Sequence, residues 1–110
     1  MIGRIQDRTT FERFRVEAKR SRAGELWCAA LPDDTGRGPR IAYAIGKRVG
    51  SAVVRNRVRR RLKAIAVTHA EIVHPGSYLI GVRPGAAQCS YEELNVMFIR
   101  LFDQVQAHRR

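Results

Sequence analysis

The 110-residue chain has only two cysteines and ten acidic residues, and what it lacks narrows its chemistry before any motif is read. Cys28 and Cys89 form no CxxC pair and have no histidine at metal-ligand spacing, so both are read as buried or idle thiols. No apolar run is long enough to cross a bilayer, and no basic-then-apolar leader with a small-residue cleavage site opens the chain. That predicts a cytoplasmic protein with no membrane partner. The acids are scattered, whereas a metal-dependent nuclease needs several clustered carboxylates to hold its cations. A metal-free ribonuclease would need a histidine pair as acid and base. His69, His74 and His108 stand instead at a helix end, beside a turn and in the basic tail. The polypeptide is therefore expected to have no catalytic residues of its own and no metal site. Asp33 and Asp34, neighbours on a Gly-rich loop, are read as turn formers rather than Mg²⁺ ligands. Nothing resembles a helix-turn-helix or a dimer element, which argues against DNA as the partner.

What the chain has in excess is positive charge. Twenty-one Lys and Arg against ten Asp and Glu give +11, with an isoelectric point of about 11.2, and this balance points to a nucleic acid. At this length the chain is expected to be one RNA-binding domain spanning residues 1–110, with a basic tail at 108–110 and one modest core.

The charge is concentrated in residues 47–63, KRVGSAVVRNRVRRRLK, where eight of seventeen residues are Lys or Arg and none is acidic. Gly50 and Ser51 supply a turn and a helix-starting signal, and Val54, Val58, Leu62 and Ile65 then recur at helical spacing. At about 100° per residue these four fall within roughly 80° of arc, while Arg55, Asn56, Arg59, Arg60 and Lys63 occupy roughly 100–240°. One face packs and the other is cationic. Arg57 and Arg61, at about 300° and 340°, border the apolar stripe and are expected to snorkel to its edge. A solvated helix face ordinarily interleaves acids with bases, yet no acid occurs from Lys47 to Ala70. The uncompensated repulsion, a few tenths of a kcal/mol per i,i+4 pair, implies an external polyanion, and the arginines add planar, bidentate geometry toward phosphate. Asn56 adds a donor and an acceptor able to reach a base edge or a ribose hydroxyl.

This stretch resembles the signature of the bacterial ribonuclease P protein component: two basic residues before Val-Gly, a small-apolar step, then Arg-Asn-Arg opening a basic helix. Lys47, Arg48, Val49, Gly50, Ala52, Val53, Arg55, Asn56, Arg57, Arg59 and Arg60 carry the match. The Arg-Pro-Gly-Ala-Ala stretch at 83–87 and Ser-Tyr-Glu-Glu at 90–93 extend it over nearly the whole chain, most loosely in its N-terminal third.

Elsewhere the pattern is legible in order. Residues 1–8 begin irregularly, and Thr9 with Glu12 reads as a capping box starting a helix with Phe11, Phe14 and Ala18 on one side. A basic link at 19–24 leads to a strand at about 25–31 whose poor alternation suits covering on both sides or an edge position. A loop at 32–40 carries a possible further strand. Ile41, Tyr43 and Ile45 alternate as a half-buried strand, the basic helix runs to about His69, and Tyr78, Ile80 and Val82 mark the next strand. Ser90 with Glu93 is a second capping box, opening a core helix through Val105.

Periodicity thus predicts a small α+β domain with helices packed on a sheet. The resemblance implies more: a four-stranded sheet in αβββαβα order, with a left-handed β-α-β crossover from Ile41 to Val82, as in a ribosomal-protein domain. It also implies a function: the protein subunit of ribonuclease P, which binds a catalytic RNA and the 5′ leader of precursor tRNA. Chemistry would rest with Mg²⁺ held mainly by the RNA. On this reading Lys47, Arg48, Arg55, Asn56, Arg57, Arg59, Arg60 and Lys63 contact RNA, and Phe11 lies on the floor of the leader cleft. The family tends to repeat Phe four residues later, where this chain has Arg15, taken here as a phosphate contact replacing a stacking one. Near position 29, where the family often has a cleft aromatic, stands Ala29; Trp27 shares its face and is read as core. A ribosomal or ribosome-assembly protein would account equally well for charge and size, and would differ by binding ribosomal RNA without affecting tRNA processing.

Overall fold

A computed structural model describes residues 2–32 and 36–108. Asp33, Asp34 and the tail residues Arg109 and Arg110 lie outside the described residues. The elements are β1 (Gly3–Arg4), α1 (Arg8–Val16), β2 (Lys19–Ala23), β3 (Leu26–Pro32), β4 (Pro39–Ala44), α2 (Ala52–Thr68), β5 (Gly76–Val82) and α3 (Tyr91–Ala107). They form one sheet in the order β1-β4-β5-β3-β2, with β1, β4 and β5 mutually parallel and β3 and β2 antiparallel to their neighbours. The expected strand-helix-strand unit is present as β4, α2 and β5, with its two strands parallel and adjacent.

Five strands rather than four make the sheet. The two-residue β1 falls in the segment expected to be irregular, and it exists only because β4 offers it a free edge. The further strand lies at 19–23 rather than around 32–40. Its Lys and Arg content hides it in the sequence, but the Gly24–Glu25 turn folds it back on β3, pairing Ala23 with Leu26. Gly24 has φ +56, a left-handed turn conformation that glycine adopts without strain.

Both faces of the sheet are covered, which explains the weak alternation of β3. Leu26 and Cys28 face α2 and α3, whereas Ala29 and Leu31 join Ile5 and Phe14 beneath α1. On the first face Val58, Leu62 and Ile65 of α2 are fully buried, as the helical spacing predicts. Tyr78 and Phe98 each pack on Phe102, at ring distances of 5.2 and 4.7 Å, locking β5 to α3. The capping box at the start of α3 is complete in both directions, between Ser90 and Glu93. Helix α1 starts differently from expectation: Asp7, not Thr9, is its N-cap, and its carboxylate accepts from the Thr10 N–H at 3.0 Å. A carboxylate is a stronger acceptor than a hydroxyl there, and Arg40 reaches it from β4. Among the described residues no helix is long and apolar enough to cross a membrane.

Candidate nucleic-acid interface

The approach to α2 fixes its first cations. Lys47–Val49 forms a single 3₁₀ turn pinned by buried Val49, leaving Lys47 and Arg48 exposed. Gly50 follows with φ +152, where a Cβ would stand 3.0 Å from Val54, so the reversal into the helix requires glycine. Ser51 then caps α2, its Oγ accepting from the Val54 N–H at 3.3 Å.

Along α2 the cations divide by angular position. Arg57 and Arg61, which border the apolar stripe, reach the backbone of the turn before α3: Arg57 Nη2 donates to the Ala87 carbonyl at 3.1 Å and Arg61 Nη1 to the Cys89 carbonyl at 3.2 Å. Arg57, expected to face RNA, therefore also ties α2 to its own protein, because its place on the wheel carries it toward the core. On the outer face Asn56 accepts from Arg59 Nη1 at 2.9 Å, which leaves the Asn56 NH₂ as the end available to a ligand. Asn56, Arg59, Arg60 and Lys63 line a shallow depression with Val53, which is 75% exposed.

Arg59 and Lys63 also form one wall of a larger groove of about 480 Å³. The same groove is lined by Ile41, Ala42 and Tyr43 of β4, by the Ile2–Ile5 segment and by Phe11 of α1. Phe11 is 38% exposed, yet its ring meets buried Phe14 edge-on at 6.1 Å, so it is a supported aromatic surface rather than a loose side chain. Burial pushes the Tyr43 phenol up to about 12; like any phenol it is neutral at physiological pH and able to donate. Arg15 is exposed one turn beyond Phe11 and does not line the groove. Trp27 packs with Ala29, Ala42 and Leu79 on the α1 face of the sheet, with the Arg20 guanidinium 5.5 Å from its ring. Sequence periodicity does not single out the Ile2–Ile5 segment; it places Tyr43 with Ile41 and Ile45 on the packed side of a strand, where Tyr43 is in fact half-buried, but gives no sign that it also lines a groove.

Among the described residues none of Lys47, Arg48, Arg55, Arg57, Arg59, Arg60 or Lys63 pairs with a carboxylate; ion pairs occur elsewhere, as between Arg13 and Glu17 or Arg83 and Glu25. Among the described residues the ridge is thus uncompensated, and a row of cations beside an apolar, aromatic groove can hold a single-stranded polyanion by phosphate contact and base stacking together. The histidines do not converge. His69 Nε2 bonds Asn95 Oδ1 at 2.8 Å and His108 Nδ1 bonds Ser21 Oγ at 3.2 Å. Asn95 and His108 stand thirteen residues apart along α3, roughly 20 Å at 1.5 Å per residue, so the two imidazoles are held well apart. Burial, with Glu93 and Glu25 nearby, pushes the Cys89 thiol up, so it is not a reactive thiolate. Among the described residues no three His, Cys, Asp or Glu side chains come together as a metal site.

Comparison with known proteins gives a consistent result. The sequence pattern of the family described as Ribonuclease P matches residues 3–106. A ribonuclease P protein component from Acidothermus cellulolyticus is 43% identical over 75 residues, covering 66% of this chain and 62% of that protein, so the match spans less than two thirds of that relative. One from Clavibacter michiganensis subsp. michiganensis is 37% identical over 100 residues, covering 86% and 87%. In structure the chain is similar to the RNase P protein of Staphylococcus aureus, with a TM-score of 0.85 at 15% identity over 93% of this chain and 94% of the other. The RNase P protein of Thermotoga maritima gives 0.81 at 14% identity over 92% and 96%. At such identities the structural likeness speaks to the fold alone.

Proposed function

This chain belongs to the Ribonuclease P family of protein components, and on that footing we propose that it binds the catalytic RNA of ribonuclease P and the 5′ leader of precursor tRNA. Its part is to assist endonucleolytic removal of the leader. The observation that carries this reading is the groove lined both by the cations Arg59 and Lys63 and by Phe11. A leader is single-stranded, so its bases are free to stack while its phosphates meet the α2 wall. Lys47, Arg48, Arg55, Asn56, Arg60 and the remaining donors of Arg57 extend the positive surface toward the folded RNA. Arg15, exposed one turn from Phe11, is available to a phosphate farther along the leader.

Among the described residues no cluster of oxygen ligands is offered to Mg²⁺. The charged groups lining the groove are cations, and a hard dication needs clustered oxygen ligands. In this reading Mg²⁺ is bound by the RNA, which performs the hydrolysis, and the protein contributes position and counter-charge. The test is reconstitution with a ribonuclease P RNA at low Mg²⁺ and an assay of leader removal. Faster cleavage than by the RNA alone supports the proposal, and an unchanged rate overturns it.

A further inference from the structure

We infer that Arg40 is a positioning residue for leader binding: its buried guanidinium sets the orientation of α1 and thereby places Phe11 at the groove. The inference rests on the function proposed above. Arg40 lies on β4 and is 5% exposed, on the face of the sheet that α1 covers. Its Nη2 donates to Ser77 Oγ on β5 at 2.9 Å and lies 3.5 Å from Thr10 Oγ1, while Nη1 meets Asp7 Oδ1 at 3.3 Å. Asp7 is the N-cap of α1 and holds the Thr10 N–H and hydroxyl. One side chain therefore joins two strands to the first turn of the helix, and Phe11 is the next residue after Thr10.

Helix α1 has nine residues, of which only Thr10 and Phe14 are buried, and a helix this short holds no fixed orientation by itself. Phe14 anchors it at a single point. A second, directional contact is needed to fix rotation about that point, and the planar guanidinium fork provides one. Apolar packing would bury the same site without the desolvation cost of a charge. It would not specify the angle. The Nε of Arg40 is buried without a partner, so its hydrogen bonds run through the two terminal nitrogens.

The experiment uses the protein reconstituted with ribonuclease P RNA and compares affinity for precursor tRNA with that for leaderless tRNA. Phe11→Ala is expected to lower the preference for the leader by about tenfold, the scale of one base stack. Arg40→Met should lower it comparably, Arg40→Lys less, and affinity for the catalytic RNA should stay within about twofold in each, since Lys47, Arg48, Arg55 and Arg60, which meet the folded RNA in this reading, do not line the groove. Because both act through one ring, the double variant should lose no more than either alone. Ser77→Ala, which keeps the charge and removes the shortest bond, should give a smaller loss in the same direction and serves if Arg40→Met does not fold. A preference that survives Arg40→Met or, where that variant does not fold, Ser77→Ala, while Phe11→Ala abolishes it, overturns the inference, as do losses that multiply in the double variant. If Phe11→Ala itself changes nothing, the groove reading fails and the inference falls with it.

Discussion

Trp27 and Gly81 are register partners on β3 and β5, and the indole occupies the space a side chain at position 81 would take: a Cβ there would stand 1.9 Å from Trp27 Cε2. The two residues fit only as a pair. Gly81→Ala should therefore force the ring off its site and cost about 1–3 kcal/mol, as overpacking in a filled core does. Urea unfolding of Gly81→Ala beside Gly81→Ala with Trp27→Leu checks this, because shortening the ring should recover part of the loss.

Charge on the groove wall should appear in the salt dependence of binding. Neutralising Arg59 and Lys63 together is expected to weaken binding of a single-stranded RNA and to flatten its log–log salt slope by about 0.7 for each phosphate that the two cations would otherwise neutralise. Titrations at several salt concentrations read both effects, and an unchanged slope would remove these two residues from the interface.

Arg61 should behave in the opposite way. Its guanidinium donates to the Cys89 carbonyl, so Arg61→Ala is expected to lower stability by about 1 kcal/mol, the scale of a half-exposed bond to a charged donor, with the salt slope of RNA binding nearly intact. Thermal melting set beside the same titrations separates a tether from a phosphate contact.

Acid titration should reveal the Asp7 cluster. The Thr10 hydroxyl and N–H, with Arg40 beside them, hold the Asp7 carboxyl down at about 2, below its ordinary 3.8. The folded state therefore favours the ionised form, so this stabilisation is complete above about pH 4 and is lost as pH falls toward 2. Asp7→Asn keeps a capping side chain but lacks the charge. The stability advantage of the parent over Asp7→Asn should shrink across that interval, which denaturant melts at stepped pH would follow.

Several of these sites can be read directly from the chain and others cannot. Val58, Leu62 and Ile65 announce the buried side of α2 because helical spacing is a local property, and the placing of Arg57 and Arg61 at its margin follows from the same wheel. Gly50 and Ser51 mark the helix start for equally local reasons. By contrast, Lys19–Ala23 carries no apolar alternation, since β2 is a charged edge paired on one side only. The Thr9–Glu12 spacing points to the wrong cap for α1 because its competitor, Asp7, is favoured by an arginine thirty-three residues away.

A cationic helix with nothing of its own to neutralise it, and an α+β core behind that helix, follow from residue order alone, because charge order and periodicity are written along the chain. What faces the helix is a matter of how the strands assemble. Phe11, Tyr43 and the Ile2–Ile5 segment reach the Arg59–Lys63 wall through sheet order, in which β1 and β4 are neighbours despite the thirty-odd residues between them. Pairing across that distance is set by burial on both faces of a sheet, and no local pattern encodes it.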